Sequence, residues 1–311
     1  MNNLLALVAS MAISMLLIPL MSRLAPRLHL VDLPDQRKVH TKPIPRVGGI
    51  GIVIGSLIPL ILLAPDRLTQ AYIYGAVVLF IFGLWDDMFD IGHYPKFAGQ
   101  VIAILIVIFY GDLYVSRFPF VPGGEIAIGF GIPFTLFAMV GVINALNQSD
   151  GLDGLAGGVS MFSIGAMSLL ALISMQGQQV LMIAFTMMGG VLGFLRYNTH
   201  PARVFMGDSG SQFIGYSLAF LVVLLSQRID TALSPAAVLL LLGLPIADSL
   251  VVLYKRARGG TKIFTATKDH LHHRLMDLGF IHRESVVIIY SAQAVFVTCG
   301  VLLRLASDYL V

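Results

Sequence analysis

The chain has 311 residues, of which 57% are hydrophobic and 12% charged, with a mean hydropathy of +0.86 and a net charge of +3. Soluble domains carry about 25% charged residues, so the composition excludes an ordinary soluble protein. An integral membrane protein is predicted, and no nucleic-acid partner is expected.

Ten apolar segments approach the roughly 17–25 residues that a helix needs to cross a bilayer. Their apolar runs are unbroken rather than alternating, which predicts helices and not barrel strands. We therefore expect an all-α polytopic membrane protein that forms one integral-membrane domain over residues 1–311. The predicted spans are 3–22, 48–64, 71–85, 97–111, 131–147, 154–174, 180–195, 210–226, 235–253 and 286–306.

The distribution of Lys and Arg predicts the orientation of these spans. Ten spans divide the connections into two sets, one of which holds 16 of the 20 basic residues. Because cytoplasmic loops carry the excess of Lys and Arg, that set is predicted to lie inside and both termini outside. Basic residues on the inner face also favour contact with anionic membrane lipids or phosphorylated substrates.

Two smaller features belong to the outer connections and the last span. Residues 113–128 are predicted to form a short β-hairpin, because two strand-like runs flank a Val-Pro-Gly-Gly turn. The single cysteine, Cys299, lies in the last span. It excludes an internal disulfide and a cysteine-based zinc site.

Four polar clusters fall at the ends of predicted spans, all on the predicted inner side. The first contains Asp86, Asp87 and Asp90 directly after the third span. A helix C-terminus carries partial negative charge, so an ordinary polar cap explains three carboxylates poorly. They predict metal binding or the positioning of a cationic or hydroxyl-bearing group.

The second cluster contains Asn144, Asn147, Asp150 and Asp153, which recur every three residues at the inner end of the fifth span. On a helix they would form one polar stripe that begins inside the apolar segment, where unpaired polar groups are costly. A turn with Asx-type caps is the alternative, and two nearby glycines permit it. That alternative leaves the two asparagines unexplained, so a functional role is favoured.

Asp208 marks the third cluster, in a Gly-Asp-Ser-Gly-Ser run just before the eighth span. A helix N-cap would account for it, but the same geometry can hold phosphate through a bridging metal. Four nearby residues could supply phosphate and ligand contacts. They are Arg196, Asn198, His200 and Arg203.

The fourth cluster is the His-x-His-His run of His270, His272 and His273. It has neither a cysteine partner nor an HExxH pattern, so zinc binding is disfavoured. A solvated basic loop is the alternative to phosphate binding, which the surrounding basic residues favour. Those residues include Arg256, Arg258 and Arg274.

Two further features have open interpretations. The first inner connection carries basic residues before Gly48-Gly49, which could bind phosphate or simply attract anionic lipid. They are Arg37, Lys38, His40, Lys42 and Arg46. Asp248 lies well inside the ninth span, where it is either functional or a packing partner of neighbouring helices.

These motifs, in this order, resemble the polyprenyl-phosphate N-acetylhexosamine-1-phosphate transferases of glycosyltransferase family 4. The resemblance runs from about residue 31 to 290. Within the family, the chain is most similar to the UDP-GlcNAc:undecaprenyl-phosphate GlcNAc-1-phosphate transferases of bacterial surface-polysaccharide synthesis. The phospho-N-acetylmuramoyl-pentapeptide transferases have a consecutive histidine triplet and are less favoured. Gln148-Ser149 departs from the apolar pair common in relatives, which bears on sugar or nucleotide selectivity.

The resemblance implies that undecaprenyl phosphate attacks the β-phosphate of UDP-GlcNAc, with Mg²⁺ or its substitute Mn²⁺ as cofactor, and releases UMP. It implies a site on the cytoplasmic face of a bacterial inner membrane, with periplasmic termini and a periplasmic hairpin. UDP-linked QuiNAc or FucNAc stay open as donors, and assembly into a homodimer stays open too. A transporter of anionic substrates is the alternative from another class, although it would place ionisable groups near the bilayer midplane.

The resemblance also implies residue roles. Asp208 would be the principal Mg²⁺ ligand, with Asp86, Asp87 and Asn147 as further candidates. The implied catalytic residues are Asp86, Asp87, Asp90, Asp150, Asp153, His272 and His273. The implied substrate-binding residues are Asn144, Asn147, Asn198, Arg203, Arg37, Lys38, His40, Arg46, Arg256, Arg258, His270 and Arg274. Because a lipid phosphate is largely ionised near pH 7, direct attack is favoured over a covalent aspartyl-phosphate.

Overall fold

The computed structural model describes residues 2–34, 43–63, 66–118, 124–174, 177–229, 233–259 and 269–307. In these ranges the chain forms α-helices and one short antiparallel sheet of β1 (Val31–Asp32) and β2 (Ile44–Pro45). The helices are α1 (Asn2–Leu24), α2 (Gly48–Leu63), α3 (Arg67–Phe89), α4 (His93–Phe109), α5 (Ile128–Ser149), α6 (Leu155–Ile173), α7 (Gln178–Asn198), α8 (Gly207–Leu224), α9 (Pro235–Leu242), α10 (Leu244–Gly259), α11 (Leu271–Asp277) and α12 (His282–Ser307).

The predicted all-α polytopic architecture is confirmed. Seven helices of the described residues are long and apolar enough to cross a membrane, and the bent pair α9–α10 makes an eighth if it is one span. Helices α2 and α4 are also apolar but have only 16 and 17 residues. Every predicted span overlaps one of these elements. The ninth span differs in shape, because α9 and α10 meet at an angle of 94°.

Gly243 forms the break between α9 and α10, with a φ of +58° that favours glycine. The break frees backbone groups that lipid cannot satisfy. Gln293 of α12 supplies the missing partner, since its Oε1 accepts the Leu244 N–H at 2.7 Å. Its Nε2 donates to Ser163 Oγ at 2.9 Å. The bend is therefore stabilised by a buried amide from another helix.

Helix α8 lies at the centre of the molecule. In its most apolar stretch 94% of the residues are buried, against 22% for α1 and for α12. It packs against α2, α3 and α5. Tyr72 of α3 reaches Ser217 of α8 at 2.8 Å, and Tyr216 Oη donates to the Tyr72 carbonyl at 3.0 Å. Helix α8 is therefore the buried element around which α2, α3 and α5 are arranged.

The start of α8 is packed backbone to backbone against α2 and α3. A Cβ added to Gly83 of α3 would lie 2.6 Å from Ser209 Cα, and one added to Gly49 of α2 would lie 2.9 Å from Gly210 Cα. The Gly49 N–H also donates to the Met206 carbonyl at 2.8 Å. Small residues allow this close approach between membrane helices.

The two-stranded sheet holds the connection between α1 and α2 beside the start of α8. Asp32 pairs with Ile44 across the ribbon, and the Phe205 N–H donates to the Pro45 carbonyl at 2.8 Å. The buried Asp32 also forms an ion pair with the partly exposed Arg46. The ribbon therefore joins this connection to the loop that precedes α8.

The antiparallel pairing predicted within 113–128 is present. Arg117 and Glu125 form an antiparallel bridge. The Phe118 N–H donates to the Gly124 carbonyl at 2.7 Å, and the Ile126 N–H donates to the Ser116 carbonyl at 2.9 Å. The flanks of the predicted hairpin are therefore paired as expected.

The close contact at Gly83 predicts a stability difference between two glycine-to-alanine variants. Gly83→Ala should lower the thermal unfolding midpoint in detergent, because its methyl group meets the Ser209 backbone and overpacking costs about 1–3 kcal/mol. Gly165→Ala in α6 is the matched control, since nothing lies within 4 Å of its added Cβ. Equal midpoints for the two variants would contradict the packing described here.

Candidate active site

A cavity of about 770 Å³ opens where helix ends meet. The C-terminal ends of α3, α5 and α7 and the N-terminal ends of α8 and α12 contribute to its wall, together with the loop 199–206 and the β1–β2 ribbon. Nine of the residues to which the family resemblance gave a role line this cavity, and His200 of the third cluster lines it too. The nine are Arg46, Asp87, Asn147, Asp150, Asp153, Asn198, Arg203, Asp208 and His273.

Other predicted site residues lie elsewhere. Eight of them belong to the described part of the chain but do not line the cavity, namely Asp86, Asp90, Asn144, Arg256, Arg258, His270, His272 and Arg274. Arg37, Lys38 and His40 lie outside the described residues. The sequence clusters therefore divide into residues that face the cavity and residues that support its wall.

Asp87 caps helix α8 from the neighbouring helix α3. One carboxylate oxygen accepts the Asp208 N–H at 2.7 Å, and the other accepts the Ser209 N–H at 3.0 Å and the Ser209 hydroxyl at 2.7 Å. The N-cap residue Met206 provides no side-chain cap itself. Gly207 has a φ of +71°, and a Cβ there would lie 2.6 Å from the Asp87 carboxylate. Asp87 thus fixes the first turn of α8 and with it Asp208.

Lys96 of α4 connects Asp86 and Asp208. Its Nζ lies 2.7 Å from Asp86 Oδ2 and 2.7 Å from Asp208 Oδ2. The second Asp86 oxygen accepts the Ile91 N–H at 3.1 Å. Sequence reasoning missed this role, and the only available signal was that Lys96 is the one Lys or Arg between the third and fourth predicted spans.

Asp90 occupies a different environment from Asp86. Helix α3 ends at Phe89, and Asp90 is the C-cap residue with a left-handed φ of 50°. Its N–H donates to the Asp86 carbonyl at 2.8 Å, while the residue is exposed. The two carboxylates would share a face only if the helix continued, and it does not.

The side chain of Asp208 is held by two amides. Asn147 Nδ2 donates to Asp208 Oδ1 at 3.2 Å and to Ser211 Oγ at 2.7 Å. Gln212 Nε2 donates to Asp208 Oδ2 at 3.2 Å. Asn147 therefore joins α5 to the first turn of α8 at the cavity wall.

Further amides lie below the cavity, within the apolar segments. Gln100 Nε2 donates to Gln212 Oε1 at 3.2 Å, and Asn144 Nδ2 donates to Gln100 Oε1 at 2.8 Å. Gln100 and Gln212 are each 1% exposed. Buried amides need such mutual partners. Asn144 thus supports Asp208 through a chain of amides instead of lining the cavity.

Asp150 sits at the C-cap of α5 and lines the cavity. Burial, together with the negative charges of Asp208, Asp87 and Asp153, raises the pKa of its carboxyl from 3.8 to about 7. Like charges gathered in a low-dielectric site disfavour ionisation. A bound cation would remove that penalty.

Asp153 holds the loop 199–206 against the segment that follows α5. Its Oδ2 lies 2.8 Å from His200 Nδ1 and accepts the Ala202 N–H at 3.0 Å. Asn198 makes a parallel connection, since it accepts the Gly154 N–H at 2.8 Å and donates to the Val204 carbonyl at 2.9 Å. These bonds join the second and third sequence clusters.

His282 is a site residue that sequence reasoning did not identify. Its ring stacks on that of His200 with centroids 4.2 Å apart, and its Nε2 lies 4.0 Å from Asp153 Oδ2. Ligand atoms of these three residues lie within 4.8 Å of one another, the one such group among the described residues. His200 lay in a recognised motif, whereas His282 stands alone at the start of α12 and gave no signal.

The fold and the cavity define a polytopic membrane protein whose polar, carboxylate-rich site is built from the ends of its helices. The chain belongs to glycosyl transferase family 4, whose sequence profile matches residues 69–226. The predicted family resemblance is thereby confirmed.

Three relatives extend the similarity over most of the chain. A probable undecaprenyl-phosphate N-acetylglucosaminyl 1-phosphate transferase of Bacillus subtilis (strain 168) is 34% identical, over 98% of this chain and 86% of the relative. The undecaprenyl-phosphate alpha-N-acetylglucosaminyl 1-phosphate transferase of Escherichia coli (strain K12) is 32% identical, over 90% and 78%. The decaprenyl-phosphate N-acetylglucosaminephosphotransferase of Mycobacterium tuberculosis (strain ATCC 25618 / H37Rv) is 35% identical, over 86% and 74%.

The capping role of Asp87 predicts different outcomes for two substitutions. Asp87→Ala should destabilise the protein by about 1–3 kcal/mol or more, because two buried N–H groups lose their acceptor. Asp87→Asn retains one acceptor oxygen and should destabilise less. Thermal unfolding in detergent measures both variants. A stability for Asp87→Ala equal to that of the unmodified protein would contradict the cap.

The raised pKa of Asp150 predicts a pH-dependent gain in stability for Asp150→Asn without divalent cations. A carboxyl whose folded pKa is about 7 instead of 3.8 removes stability as the pH rises from about 4 to about 7. In EDTA, Asp150→Asn should therefore unfold a few degrees higher at pH 8, with a smaller difference at pH 5. Asp112→Asn is the control, since Asp112 is largely exposed and pairs with Arg228. A lower midpoint for Asp150→Asn at pH 8 would contradict the charge repulsion.

Proposed function

We propose that this protein transfers N-acetylglucosamine 1-phosphate from UDP-GlcNAc to undecaprenyl phosphate and releases UMP. The product is a lipid-diphosphate sugar of the kind that begins surface-polysaccharide synthesis. An oxygen of the lipid phosphate forms a bond to the β-phosphorus of the donor. The bond from that phosphorus to the bridging oxygen breaks, and UMP leaves with the electron pair.

The observation that carries this proposal is the similarity to the three relatives over most of the chain. Their names differ in the prenyl carrier, which is undecaprenyl phosphate in two and decaprenyl phosphate in the third. All three names specify transfer of the same phosphorylated sugar. The sugar is therefore the better supported part of the substrate assignment, and the length of the lipid is the weaker part.

The donor atoms at the start of α8 suit a hard divalent cation. Asp208, Asn147 and Asp150 line the cavity with carboxylate and amide oxygens, which Mg²⁺ and Mn²⁺ prefer. The group of Asp153 and two histidines offers imidazole nitrogens, which suit zinc better. Bound Mg²⁺ would offset the charge of the two phosphates as they approach. We propose Asp208 as its principal ligand.

The bonds of Asp86 and Asp87 favour direct attack by the lipid phosphate. Lys96 and the Ile91 N–H engage Asp86, and three donors at the start of α8 engage Asp87. A carboxylate held by such partners is a weaker nucleophile than a free one. Because the lipid phosphate is already largely ionised near pH 7, it needs no general base. Asp86 and Asp87 therefore act by holding Lys96 and the first turn of α8 in place at the site.

Basic side chains of the cavity wall would hold the phosphates of the substrates. Arg46 lies on the ribbon, Arg203 lies in the loop before α8, and His273 belongs to α11. Arginine forks match phosphate oxygens well. The three residues approach the cavity from separate elements, so they can contact more than one phosphate group.

We also propose that the chain is a single ten-span domain of the bacterial inner membrane, with periplasmic termini and a cytoplasmic site. The Lys and Arg distribution supports this orientation. The helix ends at the cavity are consistent with a single membrane face for the site, since α3, α5 and α7 contribute C-termini and α8 and α12 contribute N-termini. The count of ten takes α9–α10 as one broken span and includes the short helices α2 and α4.

UMP release by purified protein tests the proposed reaction. Release from UDP-GlcNAc should require undecaprenyl phosphate and Mg²⁺ and should stop in EDTA. A panel with other UDP-N-acetylhexosamines measures the sugar preference. Folded protein that releases no UMP from any donor would reopen the transporter hypothesis.

Asp208→Asn in the same assay tests the metal assignment. Its turnover should fall by at least about 100-fold, because a charged ligand near the reacting phosphates is lost. Asp112→Asn is the matched control, a largely exposed carboxylate far from the cavity wall. Near-normal turnover of Asp208→Asn at ordinary Mg²⁺ concentrations would refute this ligand.

A further inference from the structure

Asp248 is a carboxylate among apolar side chains that the proposed reaction does not use. It lies in α10, and its side chain is only 13% exposed. A small cavity beside it is lined by Leu155, Val159, Pro245 and Ile289 among others. A carboxylate in such surroundings is costly unless it is paired and hydrogen-bonded. Its partners therefore indicate its role.

Both oxygens of Asp248 bind the start of α11. Oδ2 lies 2.8 Å from His270 Nδ1, and Oδ1 accepts the Leu271 N–H at 3.0 Å. His270 is the N-cap residue of α11 but provides no side-chain cap. Asp248 thus caps α11 from another helix and orients the first histidine of the His-x-His-His run.

His272 packs beneath the segment that carries Asp150. It is 4% exposed, and its ring is parallel to that of His270 with centroids 6.0 Å apart. A Cβ on Gly151 would clash with His272 Nε2. Burial, together with the neighbouring His273 and His270, lowers the pKa of His272 from 6.5 to about 4. His272 is therefore a neutral packing residue near neutral pH.

His273 alone of the three histidines lines the cavity. Its ring centroid lies 4.2 Å from that of His272. We propose that Asp248 is a positioning residue, which fixes the first turn of α11 so that His272 supports Gly151 and His273 faces the substrate. This role rests on the proposed function, since His273 matters for turnover only if the cavity binds the phosphorylated substrates.

Hydrogen exchange of α11 tests the contact without any activity measurement. Asp248→Ala should speed exchange of the α11 amides about tenfold, because the Leu271 N–H loses its acceptor. Asp248→Asn keeps an acceptor oxygen and should lie between this variant and the unmodified protein. Ser249→Ala is the control, since the buried Ser249 hydroxyl has no partner among the described residues. Unchanged exchange in Asp248→Ala would overturn the proposal.

A double-mutant cycle on UMP release separates positioning from a general loss of stability. Asp248→Ala should lower kcat by about 10- to 100-fold, as a small displacement of a contact residue does. In a His273→Ala background the same change should cost less than about threefold, because residues acting through one contact are not additive. Effects that multiply would overturn the proposal. Unmodified protein without UMP release would instead refute the proposed function, and the exchange result would still decide the contact.

Discussion

The structure depends on how the buried N-terminus of α8 is satisfied. Its first N–H groups lie among packed helix ends at the cavity wall, and Asp87 of α3 accepts two of them. Gly49 and Gly83 let α2 and α3 approach the same turn. The Asp87 carboxylate therefore joins α3 to α8, and Asp208 emerges from this turn at the cavity. The position of the proposed metal ligand follows from a helix cap.

Polar side chains from one helix also satisfy the backbone of another helix end elsewhere in the structure. Asp248 caps α11, Gln293 satisfies the break before α10, and Asn198 satisfies the segment after α5. In each case a polar side chain pairs backbone groups that a helix end leaves free. Acidic residues that look equivalent in the sequence thus have separate tasks. Asp248 caps a helix away from the cavity, Asp87 caps α8 at the cavity wall, and Asp150 and Asp208 face the cavity.

The cavity also holds several negative charges close together, and their mutual repulsion destabilises the folded protein. Asp150 is half-buried beside Asp208, Asp87 and Asp153, and its desolvation together with these negative charges raises its pKa. The positive charge of Lys96 offsets part of the negative charge of Asp208 and Asp86. The cavity still holds more carboxylates than basic groups bonded to them. Sites that gather like charges gain stability when they bind an ion of opposite charge. Such a site suits two anionic substrates that must meet through a divalent cation.

The sequence by itself determined the membrane class, the approximate spans, the paired 113–128 segment and the family, because hydropathy and ordered motifs are local properties of the chain. It also selected, besides His200, nine residues of the cavity wall. Only the tertiary structure decided that Asp87 is a cap, that Lys96 joins two carboxylates, and that Asn144 lies below the cavity. These facts depend on contacts between distant helices, such as Asp87 with Ser209, which are 122 residues apart. A linear pattern shows which residues are polar, but the packing of helix ends decides which of them face the substrate and which satisfy a neighbouring backbone.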